Sequence, residues 1–246
     1  MVAPRNCLSA SLVALVVLLA VLGVAPGIGL VGWAAGLTCG TALSVAVARS
    51  ASNGRVEAFG PADLVTLTRA TLSCGVAALV ADSFVREVPA WTLVALAAVA
   101  LALDTVDGQV ARRTGTASRF GARLDGEADA FLMLVLSVYV ARGVGVWVLA
   151  IGAVRYPFAI AGWVLPWMRA QLPPRYWRKV VTATAGLALT FAAAEIAARE
   201  ATYALVLALV LLAESFGRDV WWLWRHRPGD IAAATPERTP ARLLLP

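Results

Sequence analysis

The chain is poor in histidine, cysteine and charge. Its 246 residues include one histidine and three cysteines, and charged residues make up only 15% of the sequence. Cys7, Cys39 and Cys74 are scattered among apolar residues without the spacing of metal ligands, so we expect small membrane-buried side chains. The single histidine, His226, lies in a proline-rich stretch near the C-terminus and is assigned no role.

Long apolar runs dominate the sequence. Hydrophobic residues make up 60% of the chain, and the mean hydropathy is +0.77. Runs near twenty residues recur, and each is long enough to cross a bilayer core of about 30 Å. We predict an all-α integral membrane protein with eight helices and no sizeable soluble domain. The runs lie at 8–24, 28–48, 64–82, 90–106, 126–141, 146–168, 180–198 and 202–224.

The runs divide the chain into three parts. Residues 1–59 are predicted to form a transmembrane hairpin, turning at Pro26 and Gly27, followed by a polar linker. Residues 60–225 hold the remaining six helices and form the predicted core. Residues 226–246 contain four prolines and are predicted to be a disordered tail.

The surplus of six positive charges follows the predicted topology. If the N-terminus is cytoplasmic, 17 of the 21 Lys and Arg residues fall in cytoplasmic segments, and the outside loops hold only Arg86, Arg142 and Arg199. Such a bias predicts a multi-pass plasma-membrane protein with both termini inside. The positive charge is expected to meet lipid headgroups, since nothing resembles a basic helix interleaved with aromatic residues that would bind nucleic acid.

Four aspartates lie within the 26 residues from Asp104 to Asp129, where the fourth run ends and the fifth begins. Asp104 and Asp107 are three residues apart, and Asp125 and Asp129 are four apart, so each pair shares one helix face. If the two helices lie side by side, the four carboxylates converge and repel one another unless cations neutralise them. Oxygen ligands suit Mg²⁺ or a similar hard cation.

Small residues accompany the carboxylates. Gly108, Ala111 and Gly121 fall on the same faces and leave room for a ligand to reach the backbone, while Arg112 can pair with phosphate. The whole spacing resembles the signature of the CDP-alcohol phosphatidyltransferases, D-x2-D-G-x2-A-R-x8-G-x3-D-x3-D. All eight fixed positions match: Asp104, Asp107, Gly108, Ala111, Arg112, Gly121, Asp125 and Asp129.

This resemblance implies a fold and a reaction. Family members have a six-helix membrane core, act in phospholipid biosynthesis and bind two Mg²⁺ or Mn²⁺ ions; a homodimer is also implied. A CDP-linked lipid, commonly CDP-diacylglycerol, gives its phosphatidyl group to an alcohol and CMP is released. Asp104, Asp107, Asp125 and Asp129 would hold the metal ions, and Asp129 would also take the proton of the attacking hydroxyl. The residues implied for CDP binding are Thr66, Gly108, Ala111, Arg112 and Gly121.

A shorter pattern opens the third run. Asp63, Thr66 and Arg69 resemble the N-x-x-T-x-x-R at the start of the family's first core helix, with Asp63 in place of the asparagine. Gly60 and Pro61 precede it, and Pro61 is suited to a helix N-terminus. From the residues alone, we interpret the triplet as cap and interface chemistry rather than as part of a site.

Basic residues further along the chain are candidates for binding the alcohol acceptor. Arg155 lies within the sixth run, where a charge needs a polar cavity or a partner; we interpret it as a contact to an anionic substrate rather than as half of a structural ion pair. Arg175, Arg178 and Lys179 precede the seventh helix and loosely resemble a basic element of members that use phosphorylated acceptors. Two roles are compatible with these three residues. They could bind an acceptor phosphate, as in inositol phosphate or glycerol 3-phosphate, or anchor the protein to lipid headgroups.

Two other functions are compatible with acidic residues on membrane helices. Intramembrane prenyltransferases also use DxxD-type motifs with Mg²⁺ and pyrophosphate, but on well-separated helix pairs. A non-enzymatic cation-binding protein or transporter would place its acidic residues near mid-membrane across inverted repeats, and no repeat is evident.

Overall fold

The computed structural model describes residues 4–52, 60–114, 119–170, 172 and 175–227. Over these residues the chain is helical and contains no strand. Short 3-10 turns lie at Val146–Val148 and Pro166–Arg169. The α-helices are α1 (Pro4–Val24), α2 (Leu30–Ser52), α3 (Pro61–Asp82), α4 (Ala90–Thr114), α5 (Arg119–Val144), α6 (Leu149–Ala153), α7 (Arg155–Val164), α8 (Tyr176–Ala193) and α9 (Ala198–Arg225).

Four of the described helices, α1, α2, α3 and α9, are long and apolar enough to cross a membrane. The bent pair formed by Val146–Ala153 and Arg155–Val164 makes a fifth candidate span if its two parts cross together. The apolar part of α4, Ala90–Asp104, is shorter, and the helix continues from it into the acidic motif. The prediction of an all-α membrane protein is confirmed.

The prediction of one continuous helix over residues 146–168 is wrong. The chain bends by 57° between α6 and α7, and Val154 forms a turn at the break. Pro157 explains the bend, because it has no N–H and its ring would clash with the carbonyl of Ala153 in a continuous helix. Arg155, which the sequence places within a run, therefore begins a new helix.

The N-terminal hairpin forms as predicted and shares one hydrophobic core with the rest of the chain. Gly27 adopts φ +76° in the turn between α1 and α2, a conformation that favours glycine. The carboxylate of Asp82, at the end of α3, accepts hydrogen bonds from the N–H groups of Gly29 (3.0 Å) and Gly32 (3.2 Å). Because Asp82 is fully buried, these bonds tie the start of α2 firmly to α3.

Helix α3 lies at the centre of the protein. The buried share of its span is 72%, compared with 22% for α1 and 28% for α9. Its N-terminus matches the expectation from the sequence: Gly60 is the N-cap, Pro61 is the first helical residue, and the Asp63 carboxylate accepts a hydrogen bond (2.9 Å) from the Gly60 N–H. Helix α3 therefore carries Arg69 into the protein interior, next to α4 and α5.

Two predictions fall outside the described residues. The polar linker, residues 53–59, and the tail from residue 228 onward are not covered by the structure, so the predicted tail disorder stays a prediction. The described part of the C-terminus ends at Arg227, and His226 there is exposed and stacks on Trp222 with ring centroids 4.2 Å apart.

Candidate active site

Three carboxylates from two helices meet at one point. Asp104 lies in α4, and Asp125 and Asp129 lie one turn apart in α5. One oxygen from each carboxylate falls within 4.8 Å of the others. This is the convergence expected from the helical spacing of the motif, and it is the group of possible metal ligands found among the described residues.

Arg69 of α3 lies among these carboxylates and is 1% exposed. Its Nη1 donates to Asp104 Oδ1 at 2.6 Å and lies 2.7 Å from Asp125 Oδ1. Its Nη2 donates to Asp129 Oδ1 at 2.5 Å and to the backbone carbonyl of Asp125 at 3.3 Å. A planar guanidinium offers five N–H donors in a fixed geometry, so one side chain bridges α3, α4 and α5.

The charge balance of this cluster fits a divalent cation. Three carboxylates and one guanidinium leave a net charge of two negative units. The Asp125 Oδ1 atom is buried and lies 2.7 Å from Arg69 Nη1. The all-oxygen donor set of the three carboxylates suits Mg²⁺ or Mn²⁺.

The other residues of the motif lie on the same two helices. Asp107, Gly108, Ala111 and Arg112 belong to the last turns of α4, and their side chains lie outside the described residues. Gly121 is buried in the first turn of α5. The predicted roles of these five residues therefore stay predictions.

A cavity of about 320 Å³ opens beside the carboxylates. Asp104, Asp125 and Asp129 line it together with cationic side chains. Large apolar side chains also line it: Leu101, Met133, Ile151, Val154, Leu212 and Phe216. One space thus combines a site for cations, a site for anions and a surface for hydrocarbon, which is what a charged lipid substrate requires.

The structure separates the four candidate acceptor residues. Arg155, Arg178 and Lys179 line the cavity of the carboxylates, whereas Arg175 lines a different one. The structure is compatible with both interpretations of Arg155. The residue lines the cavity, as a substrate contact would, and its Nη2 also forms an ion pair with Glu127 at 2.7 Å.

Arg155 also packs closely on α5. A Cβ at Gly126 would lie 3.2 Å from Arg155 Nη2, so the glycine leaves room for the guanidinium. The Nε atom of Arg178 lies 3.5 Å from Oδ2 of the buried Asp219. Arg178 lines both cavities.

A known protein family matches the part of the chain that contains the carboxylate cluster. The family model described as CDP-alcohol phosphatidyltransferase matches residues 59–213, more than half of the chain. The chain belongs to this family. No curated protein and no solved structure gives a significant match. The matched range begins just before α3, includes all three described carboxylates and ends within α9, so the hairpin of α1 and α2 lies outside it.

Membership of the CDP-alcohol phosphatidyltransferase family fixes the general chemistry. The protein is a membrane transferase of phospholipid biosynthesis, and its family implies CDP-lipid and alcohol substrates. Members of the family use divalent metal ions. The prenyltransferase and transporter alternatives are set aside. Among the described residues, the carboxylate cluster offers suitable ligands for the divalent metal ions that the family uses.

The structure divides the triplet of Asp63, Thr66 and Arg69, which the sequence predicts to be cap and interface chemistry. Asp63 does cap α3, and the Thr66 hydroxyl donates to the carbonyl of Ala62 at 3.1 Å, but Arg69 contacts all three described carboxylates. One signal was available: an arginine in the third turn of a predicted membrane helix needs a buried partner. Four carboxylates without an assigned protein cation were the obvious candidates.

Proposed function

We propose that this enzyme transfers the phosphatidyl group of CDP-diacylglycerol to a phosphorylated polyol, such as glycerol 3-phosphate or inositol phosphate, and releases CMP. The observation that carries the proposal is the single cavity that Asp104, Asp125 and Asp129 line together with basic and apolar side chains. The carboxylates suit a metal-bound pyrophosphate, the apolar side chains suit a lipid chain, and the basic side chains suit a second phosphate.

In this proposal Asp104, Asp107 and Asp125 are metal ligands, together with Asp129, and two ions are held. Bound divalent ions would neutralise the donor pyrophosphate and stabilise the leaving phosphate. The protein itself contributes positioning, since phosphoryl transfer depends chiefly on alignment and charge neutralisation. Thr66, Gly108, Ala111, Arg112 and Gly121 are the proposed contacts to CDP.

Asp129 is the proposed general base. The acceptor hydroxyl oxygen forms a bond to the phosphorus that carries diacylglycerol, while the bond from that phosphorus to the CMP oxygen breaks. The hydroxyl proton passes to the Asp129 carboxylate. Asp129 lines the same cavity as Arg155, Arg178 and Lys179, so a phosphate held by these cations brings its own hydroxyl groups into that space.

The test of the proposed function is the identity of the product. Purified protein is supplied with radiolabelled CDP-diacylglycerol, Mg²⁺ and a panel of alcohols with and without phosphate groups. We expect a labelled phosphatidyl product with a phosphorylated polyol and little with the corresponding unphosphorylated one. Efficient transfer to unphosphorylated alcohols alone would contradict the proposed acceptor class, and no product with any alcohol would contradict the reaction.

Arg155→Gln is expected to raise the KM for the acceptor with little change in CDP-lipid binding, because a cation in the acceptor part of the cavity is removed. The matched control is Glu127→Gln, which breaks the same ion pair but leaves the arginine. The pair is exposed on both sides, so as a purely structural contact it would contribute only about 0–1 kcal/mol. Steady-state kinetics with varied acceptor concentration check this prediction. Equal acceptor KM values for both variants and the parent enzyme would show that Arg155 has a structural role instead.

We further propose that both termini and the aspartate cluster face the cytoplasm, where CDP-lipids and phosphorylated polyols are available. The support is the placement of 17 of the 21 basic residues on one side. In a background without native cysteines, Ser118→Cys and Thr235→Cys are expected to react with impermeant reagents only in inside-out vesicles. Glu200→Cys is expected to react only from the outside, and a reversed pattern would refute the topology.

A further inference from the structure

A buried carboxylate lies in the C-terminal part of α9, beyond residue 213, where the range matched by the family model ends. Asp219 is only 4% exposed. A carboxylate is rarely buried to this extent unless an opposite charge compensates it. Its Oδ2 atom lies 3.5 Å from Nε of Arg178, in the first turn of α8. Arg178 is therefore a partner that explains how the charge of Asp219 is tolerated.

Two carboxylates from this part of α9 contact adjacent residues of α8. Glu214 accepts a hydrogen bond from Trp177 Nε1–H at 3.1 Å, and Asp219 pairs with the next residue, Arg178. The side chain of Glu214 is 34% exposed and also pairs with Arg218, whereas the side chain of Asp219 is only 5% exposed. The start of α8 is thus held by side chains that lie outside the matched range.

The two residues of α8 that receive these contacts line different spaces. Trp177 lines the second cavity, of about 410 Å³, which Asp219 also lines. Arg178 lines that cavity too, but it also lines the cavity of the carboxylate cluster, next to Lys179. Of the two contacts, the one made by Asp219 therefore reaches a cation of the catalytic cavity.

The geometry of the ion pair leaves the guanidinium able to bind a second anion. Asp219 approaches Nε, and a guanidinium carries its other four N–H donors on Nη1 and Nη2. An arginine side chain has many rotamers, and a buried carboxylate beside Nε restricts them to those that keep the ion pair. Asp219 thereby determines where the two Nη groups of Arg178 lie.

We propose that Asp219 is a positioning residue, which holds the Arg178 guanidinium where it meets the phosphate of the acceptor. The inference rests on the proposed function, because it takes the phosphorylated acceptor as the ligand of Arg178. It adds a residue that lies outside both the signature and the matched range. Asp219 contacts neither substrate nor metal ion in this proposal, so its whole effect passes through Arg178.

Steady-state kinetics of Asp219→Asn, which keeps the shape of the side chain but removes its charge, test this role. We expect the acceptor KM to rise by about 10-fold and CDP-lipid binding to stay unchanged, because only the acceptor contact is misplaced. Asp219→Glu keeps the charge and should recover part of the loss. Glu214→Gln is the matched control: it removes a charge from the same helix and a contact to Trp177, and its acceptor KM should equal that of the parent enzyme.

A double-mutant cycle shows whether Asp219 acts through Arg178. Arg178→Gln alone is expected to raise the acceptor KM, and adding Asp219→Asn should raise it no further. In an Arg175→Gln background, Asp219→Asn should keep its full effect, because Arg175 lines the second cavity. A purely structural contact between α8 and α9 would produce neither pattern.

A second readout does not depend on catalysis. Phenylglyoxal modifies arginine side chains, and mass spectrometry of the full chain in nanodiscs gives the rate at Arg178 itself. We expect Asp219→Asn to raise this rate several-fold, because the guanidinium loses the buried carboxylate beside it. Arg199, at the other end of α9, is the internal reference and should react at an unchanged rate.

Each result decides the inference. A rise in acceptor KM that disappears in the Arg178→Gln background supports it. An unchanged KM, or a loss of kcat for every acceptor that persists in that background, refutes it. If no acceptor of the panel needs a phosphate group, the proposed function fails separately. The labelling rate then decides whether Asp219 holds Arg178, and an unchanged rate refutes the positioning role.

Discussion

Asp129→Asn is expected to reduce turnover by about 10²–10⁴-fold while CDP-lipid binding is retained with modestly lower affinity. The substitution keeps the shape of the side chain and one oxygen ligand but removes the charge that accepts the proton. Of the three described carboxylates, Asp129 is the least exposed, at 25% compared with 36% for Asp125 and 40% for Asp104. It lies one turn deeper along α5 than Asp125, where a proton-accepting group can reach the acceptor.

Asp125→Asn is the matched control for that experiment. It is the same chemical change one turn earlier on α5, at a residue proposed as a metal ligand only. We expect it to weaken both metal and CDP-lipid binding, so kinetics must be measured together with binding isotherms for the CDP-lipid. If Asp129→Asn abolished CDP-lipid binding as fully as Asp125→Asn, the separate role of Asp129 as base would be untenable.

Arg69→Gln is expected to cause the largest loss of stability among the site variants. Without the guanidinium, three carboxylates within 4.8 Å of one another lose their protein counter-charge. Removing one partner of a buried ion pair typically costs about 3–5 kcal/mol. The carboxylates are 25–40% exposed, so solvent screening lowers the cost below that range.

Thermal unfolding in EDTA and in Mg²⁺ checks this prediction. Because the variant cluster carries one more uncompensated negative charge, added Mg²⁺ should stabilise Arg69→Gln more than the parent protein. Arg123→Gln is the control, since Arg123 is exposed and lies on the same helix as Asp125 and Asp129. An Arg69→Gln protein as stable in EDTA as the parent would show that the guanidinium is not the counter-ion of the cluster.

Local spacing was enough to predict the half of the site that lies on α4 and α5. Asp125 and Asp129 share a helix face by their four-residue separation, and Asp104 lies on the preceding helix of the chain. The family signature is compact for the same physical reason. The acidic part of the site could therefore be found without knowing how the other helices pack.

The rest of the site depends on contacts between distant parts of the chain. Arg69 meets carboxylates 35 to 60 residues further along, and no local pattern specifies those pairings. The bend at Val154 was missed because hydropathy identifies an apolar run but not its direction, although Pro157 was a usable signal. Arg175 and Lys179 line different cavities, and this difference follows from the point at which α8 begins, which composition does not determine.

The most direct test of the metal-dependent transferase site is CMP release from CDP-diacylglycerol by purified protein, with the best acceptor of the panel. CMP release should require Mg²⁺ or Mn²⁺, fall to background in EDTA and return when Mg²⁺ is restored, because the carboxylate cluster needs divalent cations to accept a pyrophosphate. Full CMP release in excess chelator would contradict the assignment of Asp104, Asp125 and Asp129 as the metal site.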